Sequence, residues 1–502
     1  MTHLTIAPLL LPLFAGIVLL LTRHLLGIGF RRAFSIAAVL GQIGLATMLL
    51  QAVDGGDILT YALGNWPAPY GIVLVADRLA AWMLLITALL ALFPLLHACR
   101  GEDVGGRHFH VLFQLQLFGL NGAFLTGDLF NLFVFFEVLL LASYGLILHG
   151  GGRARTKAGL HYVALNLAGS SLFLIAVGTL YGLFGTLNMA DLAVKMAAVP
   201  AENLGPARAA GLLLFAVFAL KAALLPLYLW LPAAYAHTSA PVAALFAIMT
   251  KVGAYAILRV TTLIFGAQAG SMSGLIEPWL LPLALATLIV GLLGALAARA
   301  LREQAAYLVV ASVGSLLTAF ALGSAGGIAA GLYYLPHSTF AAAALFLLAE
   351  RITQARGVIG DRFEPAPAMV GAPLLGGLFF VTAILLAGLP PLSGFIGKFL
   401  LLRAALTHPA GPWVMSLVLL GGLLGLIALA RAGSLLFFRT LPEAPGTATP
   451  TVTAPLAPAL GLLLLTLALT VAAGPLHVIA GATAEQLLQP YHYIHAVLGG
   501  RP

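Results

Sequence analysis

The feature that most constrains this chain is the unbroken length of its apolar runs. "LFNLFVFFEVLLLASYGLIL", residues 129–148, carries one charge, Glu137, in its whole length. A half-buried strand would alternate apolar and polar positions, and this run does not. In a helix, twenty such residues cover about 30 Å, the hydrocarbon thickness of a bilayer. There, every backbone N–H and C=O has to be paired within the protein, so continuous apolar runs imply helices. Composition agrees. The 502 residues are 61% hydrophobic and 8% charged, and a soluble chain needs far more charge to cover its surface. The reading is an all-α polytopic membrane protein.

About fourteen transmembrane helices are predicted, at 4–21, 33–51, 73–97, 110–126, 128–148, 160–184, 209–230, 241–264, 277–298, 304–323, 328–350, 371–402, 412–438 and 455–480. The first run has no basic segment before it and no small-residue cleavage site after it, so it reads as a span and not as a cleaved signal. Two spans hold Pro and Gly in their interior: "KAALLPLYLWLP" (221–232) and "GLPPLSGFIGK" (388–398). Such breaks free backbone groups, which at membrane depth need protein or water around them. Connections are short, and the most linker-like is 440–454, "TLPEAPGTATPTVTA".

Basic residues orient the spans. Arg23, Arg31, Arg32, Arg100, Arg107, Arg153, Arg155, Lys157, Arg299, Arg302, Arg351, Arg356, Arg362 and Arg439 follow odd-numbered spans. The alternate loops hold only Arg78, Lys195, Arg208, Arg403 and Arg501. The odd-to-even loops are therefore expected in the cytoplasm and both termini outside. This placement also argues against nucleic acid as the reason for the net charge of +8. One cysteine and thirteen scattered histidines give no disulfide, metal or haem pattern. No nucleotide, flavin or iron–sulfur motif is present, so no cofactor is expected.

With loop charges removed, Glu137 is the only mid-span acid. Three of the five lysines, Lys221, Lys251 and Lys398, also fall inside spans. A mid-helix lysine costs about 2.5–3.5 kcal/mol even on the lenient insertion scale. For rigid ion pairing, arginine is the better residue. What lysine offers is a movable pKa, since desolvation disfavours its charge and a carboxylate favours it. The rival roles are a static ion pair for Glu137, capping of freed carbonyls for Lys221 and Lys398, and snorkelling for Lys251. His337, in "YYLPHSTF", follows a proline inside span eleven. His237 lies at a span entrance, His161 at the start of span six, and Arg259 nearer a span end; these three are possible accessory residues. Groups at similar depth on different helices cannot be successive steps straight across a bilayer. They suit a lateral proton path along its midplane.

The same residues carry a resemblance. "GDLFNLFVFFEVLLLASYGLI" (127–147), "LKAALLPLYLWLPAAY" (220–235), "APVAALFAIMTKVGAYAILR" (240–259) and "LPPLSGFIGKFLL" (389–401) resemble spans five, seven, eight and twelve of one family. It is the antiporter-like subunit family shared by complex I and Mrp-type multisubunit cation/proton antiporters. "GTLNMADLA" (185–193) is typical of its D-type member. The resemblance implies two inverted five-helix repeats, spans 4–8 and 9–13, with spans 7 and 12 broken. The chain then divides into N-terminal helices (1–109), a first repeat (110–264), a second repeat (277–438) and a C-terminal helix with its tail (455–502). It also implies proton translocation by Glu137, Lys221, Lys251, His337 and Lys398. Glu137 would tune Lys221, Lys251 would connect to His337, and Lys398 would be the terminal exchange site. Two positions depart from many relatives: Ala341 stands where they carry lysine, and Ala233 where they carry aspartate. The chain also ends soon after span fourteen, without the long lateral helix of the largest complex I paralogue.

The expected function is that of a proton-translocating subunit of a multisubunit Na+(K+)/H+ antiporter, a secondary transporter without covalent chemistry. Its expected place is the inner membrane of a prokaryote. Its expected partners are a larger homologous subunit, small hydrophobic subunits and lipids, with H+ and Na+ as transported ions. With no second mid-span carboxylate to coordinate Na+, the sodium path is expected in a partner. The alternatives are a proton-pumping subunit of a complex I-type or hydrogenase complex, and a non-conducting scaffold. Copurifying subunits would discriminate them.

Overall fold

A computed structural model describes residues 2–369, 371–441 and 454–499. Residues 442–453, most of the expected linker, and Arg501 lie outside the described residues. Among the described residues, ten helices are long and apolar enough to cross a membrane, three shorter apolar helices accompany them, and one further candidate span is bent.

The first part of the chain forms α1 (Ala7–Leu21), α2 (Ile28–Val53), α3 (Arg78–Ala98), α4 (Phe109–Leu125), α5 (Leu129–Ile147) and α6 (Arg153–Phe184). A short amphipathic helix, α7 (Met189–Ala197), follows. Span seven is broken into α8 (Leu204–Ala222) and α9 (Trp230–His237). Span eight comprises α10 (Ala240–Phe246) and α11 (Met249–Leu263). The second part holds α12 (Glu277–Ala297), α13 (Leu301–Ala321) and α14 (Ala325–Ala355). Span twelve is broken into α15 (Ala372–Ala387) and α16 (Ser393–Ala405), and α17 (Gly411–Gly433) follows. The chain closes with α18 (Ala457–Val471), α19 (Ala473–Leu487) and α20 (Pro490–Leu498).

Three expected boundaries change. Span three starts at Arg78 and not at residue 73. Val73–Ala76 is a strand, β2, antiparallel to β1 (Leu59–Ala62). Its branched residues suit a pleat, and Asp77 then starts the helix by accepting from Ala80 N–H at 2.9 Å. Span eight is interrupted at Ala247–Ile248. The last expected span, 455–480, bends by 79° between α18 and α19. Pro475 has no N–H to offer Val471 and its ring clashes with that carbonyl, so the straight helix stops there.

Alternation of the loops is visible in what they bond. Arg23 meets His108 at 3.1 Å, Arg32 meets Asp103 at 2.7 Å, and the His149 ring meets the Glu102 carbonyl at 2.9 Å. Arg302 pairs with Glu350 on the same end of the bundle. At the opposite end, β2 bridges to Thr126, Asp128 bridges to Asn188, and α20 packs on α7. The loops after odd spans thus meet one another, and so do those after even spans.

The core runs along α10, α11 and α14, whose apolar windows are wholly buried. Within α14, Pro336 cannot donate to the Leu332 carbonyl. That freed carbonyl accepts instead from the Trp82 indole N–H at 3.2 Å.

Candidate proton-path residues

Both broken spans end their first half in the same way. At the end of α8, Ala223 N–H bonds Leu220 O at 3.1 Å and Leu224 N–H bonds Ala219 O at 2.9 Å. At the end of α15, Gly388 N–H bonds Leu385 O at 3.2 Å and Leu389 N–H bonds Ile384 O at 3.1 Å. This is a Schellman motif in each case, with Ala223 at φ 60° and Gly388 at φ 75°. A proline follows within three residues each time and stops the helix from resuming at once.

Lys221 lies in the last turn of α8 and is 5% exposed. Its ammonium donates to the Asn166 carbonyl at 3.2 Å, to Asn166 Oδ1 at 3.4 Å and to Ser170 Oγ at 3.5 Å. Asn166 and Ser170 are one turn apart on α6 and share a face. The Ser170 hydroxyl in turn donates to Glu137 Oε1 on α5. One hydroxyl therefore stands between the acid and the lysine, which make no direct salt bridge among the described residues. The α8 carbonyl of Leu220 is also bonded by the Trp230 indole at 3.0 Å, so Lys221 is not used to cap it.

Gly253 sets the distance between α11 and α8. A Cβ there would stand 2.4 Å from Ala222 N and 2.7 Å from Lys221 C, so only glycine fits. Lys251, half a turn earlier in α11, is fully buried and donates to Ser312 Oγ of α13 at 3.1 Å. Ser312 lines a cavity of about 30 Å³ together with Ser315, Tyr334, Ser338 and Lys398. That volume is about one water's share of the liquid. Lys398 also donates to the Ala387 carbonyl at 2.7 Å, so it does cap the end of α15.

His337 is buried, and its Nδ1 lies 2.9 Å from Ser393 Oγ of α16. Gly394 permits this approach, since a Cβ there would stand 2.1 Å from Leu385 O and 2.9 Å from the His337 ring. Lys251 and His337 make no direct hydrogen bond among the described residues; Ser312 takes the lysine and Ser393 the histidine. Arg259 is engaged elsewhere, with Asp77 at 2.5 and 2.9 Å and stacked by Tyr255 and Tyr493. His161 and His237 are exposed on this chain. The His237 ring bonds its own helix at Ala233 O, 2.8 Å away.

Sequence reasoning missed Asn166, Ser170, Ser312 and Ser393, and also Asp77 as the partner of Arg259. The only signal for the first pair was their spacing of four on one helix. A further trio, Cys99, Asp103 and His110, brings possible ligand atoms within 4.8 Å of one another. Arg32 already grips both Asp103 oxygens at 2.7 Å, and a cation there would face that guanidinium. Burial alone would push the Asp103 carboxyl up; the hydrogen bonds from Arg32 and His110 outweigh it and hold it below the usual carboxylate range.

Residues 126–427, more than half of the chain, match the family described as NADH:quinone oxidoreductase/Mrp antiporter, TM. The chain belongs to this family. All five residues expected to carry protons lie inside the segment matched by the antiporter family. The probable K(+)/H(+) antiporter D subunit of Rhizobium meliloti (strain 1021) is 43% identical, over 99% of this chain and 97% of that relative. The Na(+)/H(+) antiporter D subunit of Bacillus subtilis (strain 168) is 39% identical, over 99% and 100%. In three dimensions, a chain of the Mrp complex from Dietzia sp. DQ12-45-1b superposes with a TM-score of 0.86 at 29% identity, covering 99% of both chains. The fold is thus that of the antiporter family's membrane subunits, as the sequence led one to expect.

Proposed function

We propose that this chain is the proton-conducting subunit of a multisubunit sodium- or potassium/proton antiporter. The observation that carries the reading is the chain of groups from half-buried Glu137 through buried Ser170 to buried Lys221, on α5, α6 and α8, in a protein whose relatives are named antiporter D subunits. A proton on Lys221 passes towards Lys251 across the close α8–α11 contact at Gly253. From Lys251 it goes through Ser312 and the cavity that Tyr334 helps to line to Lys398, while His337 and Ser393 hold a side position on α14 and α16. Lys221 and Lys398 stand on opposite sides of their helix breaks, before one and after the other. Two matching breaks support reading 110–264 and 277–438 as repeats.

The partners are the other subunits of an Mrp-type complex, and the cation path lies with them. Positive charge on the loops after odd spans supports the inner membrane of a prokaryote, with those loops cytoplasmic and both termini outside. The chain acts as a transporter component and performs no bond chemistry.

The purified complex containing this chain, reconstituted in vesicles, tests the reading. An imposed sodium or potassium gradient is expected to drive proton movement in the opposite direction, read by an internal pH dye, with no redox substrate present. Proton movement that requires a redox donor and ignores both cations would contradict it and favour a complex I-type pump.

A further inference from the structure

A second polar site lies outside the segment that matches the family, where α1 ends, α2 begins and α4 begins. It is a pocket of about 380 Å³. Arg23, Arg31, Arg107, His24, His108 and His110 line it. One acid, Asp103, shares the lining, and Arg32 and His110 already engage it. The three pocket arginines therefore keep their charge unbalanced. Arg31 Nε and His110 Nδ1 are buried and have no hydrogen-bond partner among the described residues; His110 itself is 4% exposed. The pocket floor is the first turn of α4, Phe109 to Val111. That helix starts without a side-chain cap, so its first N–H groups have no intrahelical or side-chain partner and its positive end lies at the pocket wall. Burial, with Arg23 and Arg107 nearby, holds the His108 ring below the ordinary imidazole range, as a positive local potential requires.

We propose that this pocket binds the phosphate of an anionic phospholipid headgroup. Convergent arginines and a free helix N-terminus are the chemistry that recognises a phosphate. The source is argued from position. The pocket sits at the ends of membrane helices on the arginine-rich side, at headgroup level. Beside it the end of α1, the connection after it and the start of α2 expose Leu21, Leu25 and Phe30 in turn, an apolar track on which acyl chains can lie.

The test uses the intact, detergent-purified complex and isothermal titration with three probes: dihexanoyl phosphatidic acid, dihexanoyl phosphatidylcholine and inorganic phosphate. Phosphatidic acid is expected to bind at least about tenfold more tightly than either of the others. Arg31→Gln and Arg107→Gln are each expected to weaken it about tenfold, the usual size of one lost charge-assisted bond. Arg107 is exposed and holds no partner among the described residues, so its replacement leaves the fold intact. Arg153→Gln, at the exposed first residue of α6 and outside the pocket, should change nothing. Equal binding of phosphatidic acid and inorganic phosphate would overturn the lipid as source. Equal binding of the two lipids, or binding unmoved by both pocket substitutions, would overturn the site.

Discussion

Glu137→Gln is expected to stop cation-driven proton exchange, by about 100-fold or more, while the complex still assembles. The carboxylate accepts from Ser170, and Ser170 accepts from Lys221. Glutamine keeps the volume and can still accept that hydroxyl through its amide oxygen. It cannot carry charge or a transferable proton, and a positioned proton donor or acceptor contributes about 10²–10⁴ in rate. A static ion pair would give another result: destabilisation and loss of the complex, because one buried charge would be left without its counterpart. Copurification of the partner subunits together with flux in vesicles separates the two. Wild-type flux from an assembled Glu137→Gln complex would remove the acid from the path.

Lys221→Ala should have a loss of similar size, again with normal assembly. Its ammonium is held by Asn166 and Ser170 on a neighbouring helix. The carbonyl freed near its own helix end is bonded by Trp230. Removing the side chain therefore leaves the break in α8 capped. Were Lys221 needed for capping, the substitution would block assembly instead. Lys398 differs here, since it does bond the end of its neighbouring half-helix at Ala387, and its replacement disturbs both packing and transport.

The charged groups were legible because charge in an apolar run is costly and stands out. Glu137 and the three mid-span lysines needed no structure to be found, and the two helix breaks were marked by Pro and Gly. The groups that connect them were not legible. Serine is small and ordinary at membrane helix interfaces, so nothing singled out Ser170, Ser312 or Ser393. Their role depends on which helix faces which, and that is set by close approaches such as Gly253 against Lys221. Arg259 was legible as an unusual charge, but its partner Asp77 lies 182 residues away. Asp77 also serves as the first cap of α3, so its position at a helix start hid the ion pair. The turn of span fourteen at Pro475 could have been read from the sequence, as could the strand at 73–76, had the branched run before Asp77 been weighed against helix.

The acid and the lysine are expected to communicate through one hydroxyl, that of Ser170. Proton flux through the reconstituted complex with Ser170→Ala, set beside Ser170→Thr, tests it most directly. A hydrogen bond to a charged group is worth about 1.5–3 kcal/mol, so the alanine complex should conduct about tenfold or more slowly. The threonine complex, which keeps the hydroxyl, should recover most of the rate. Equal flux from the wild-type and alanine complexes would contradict the account.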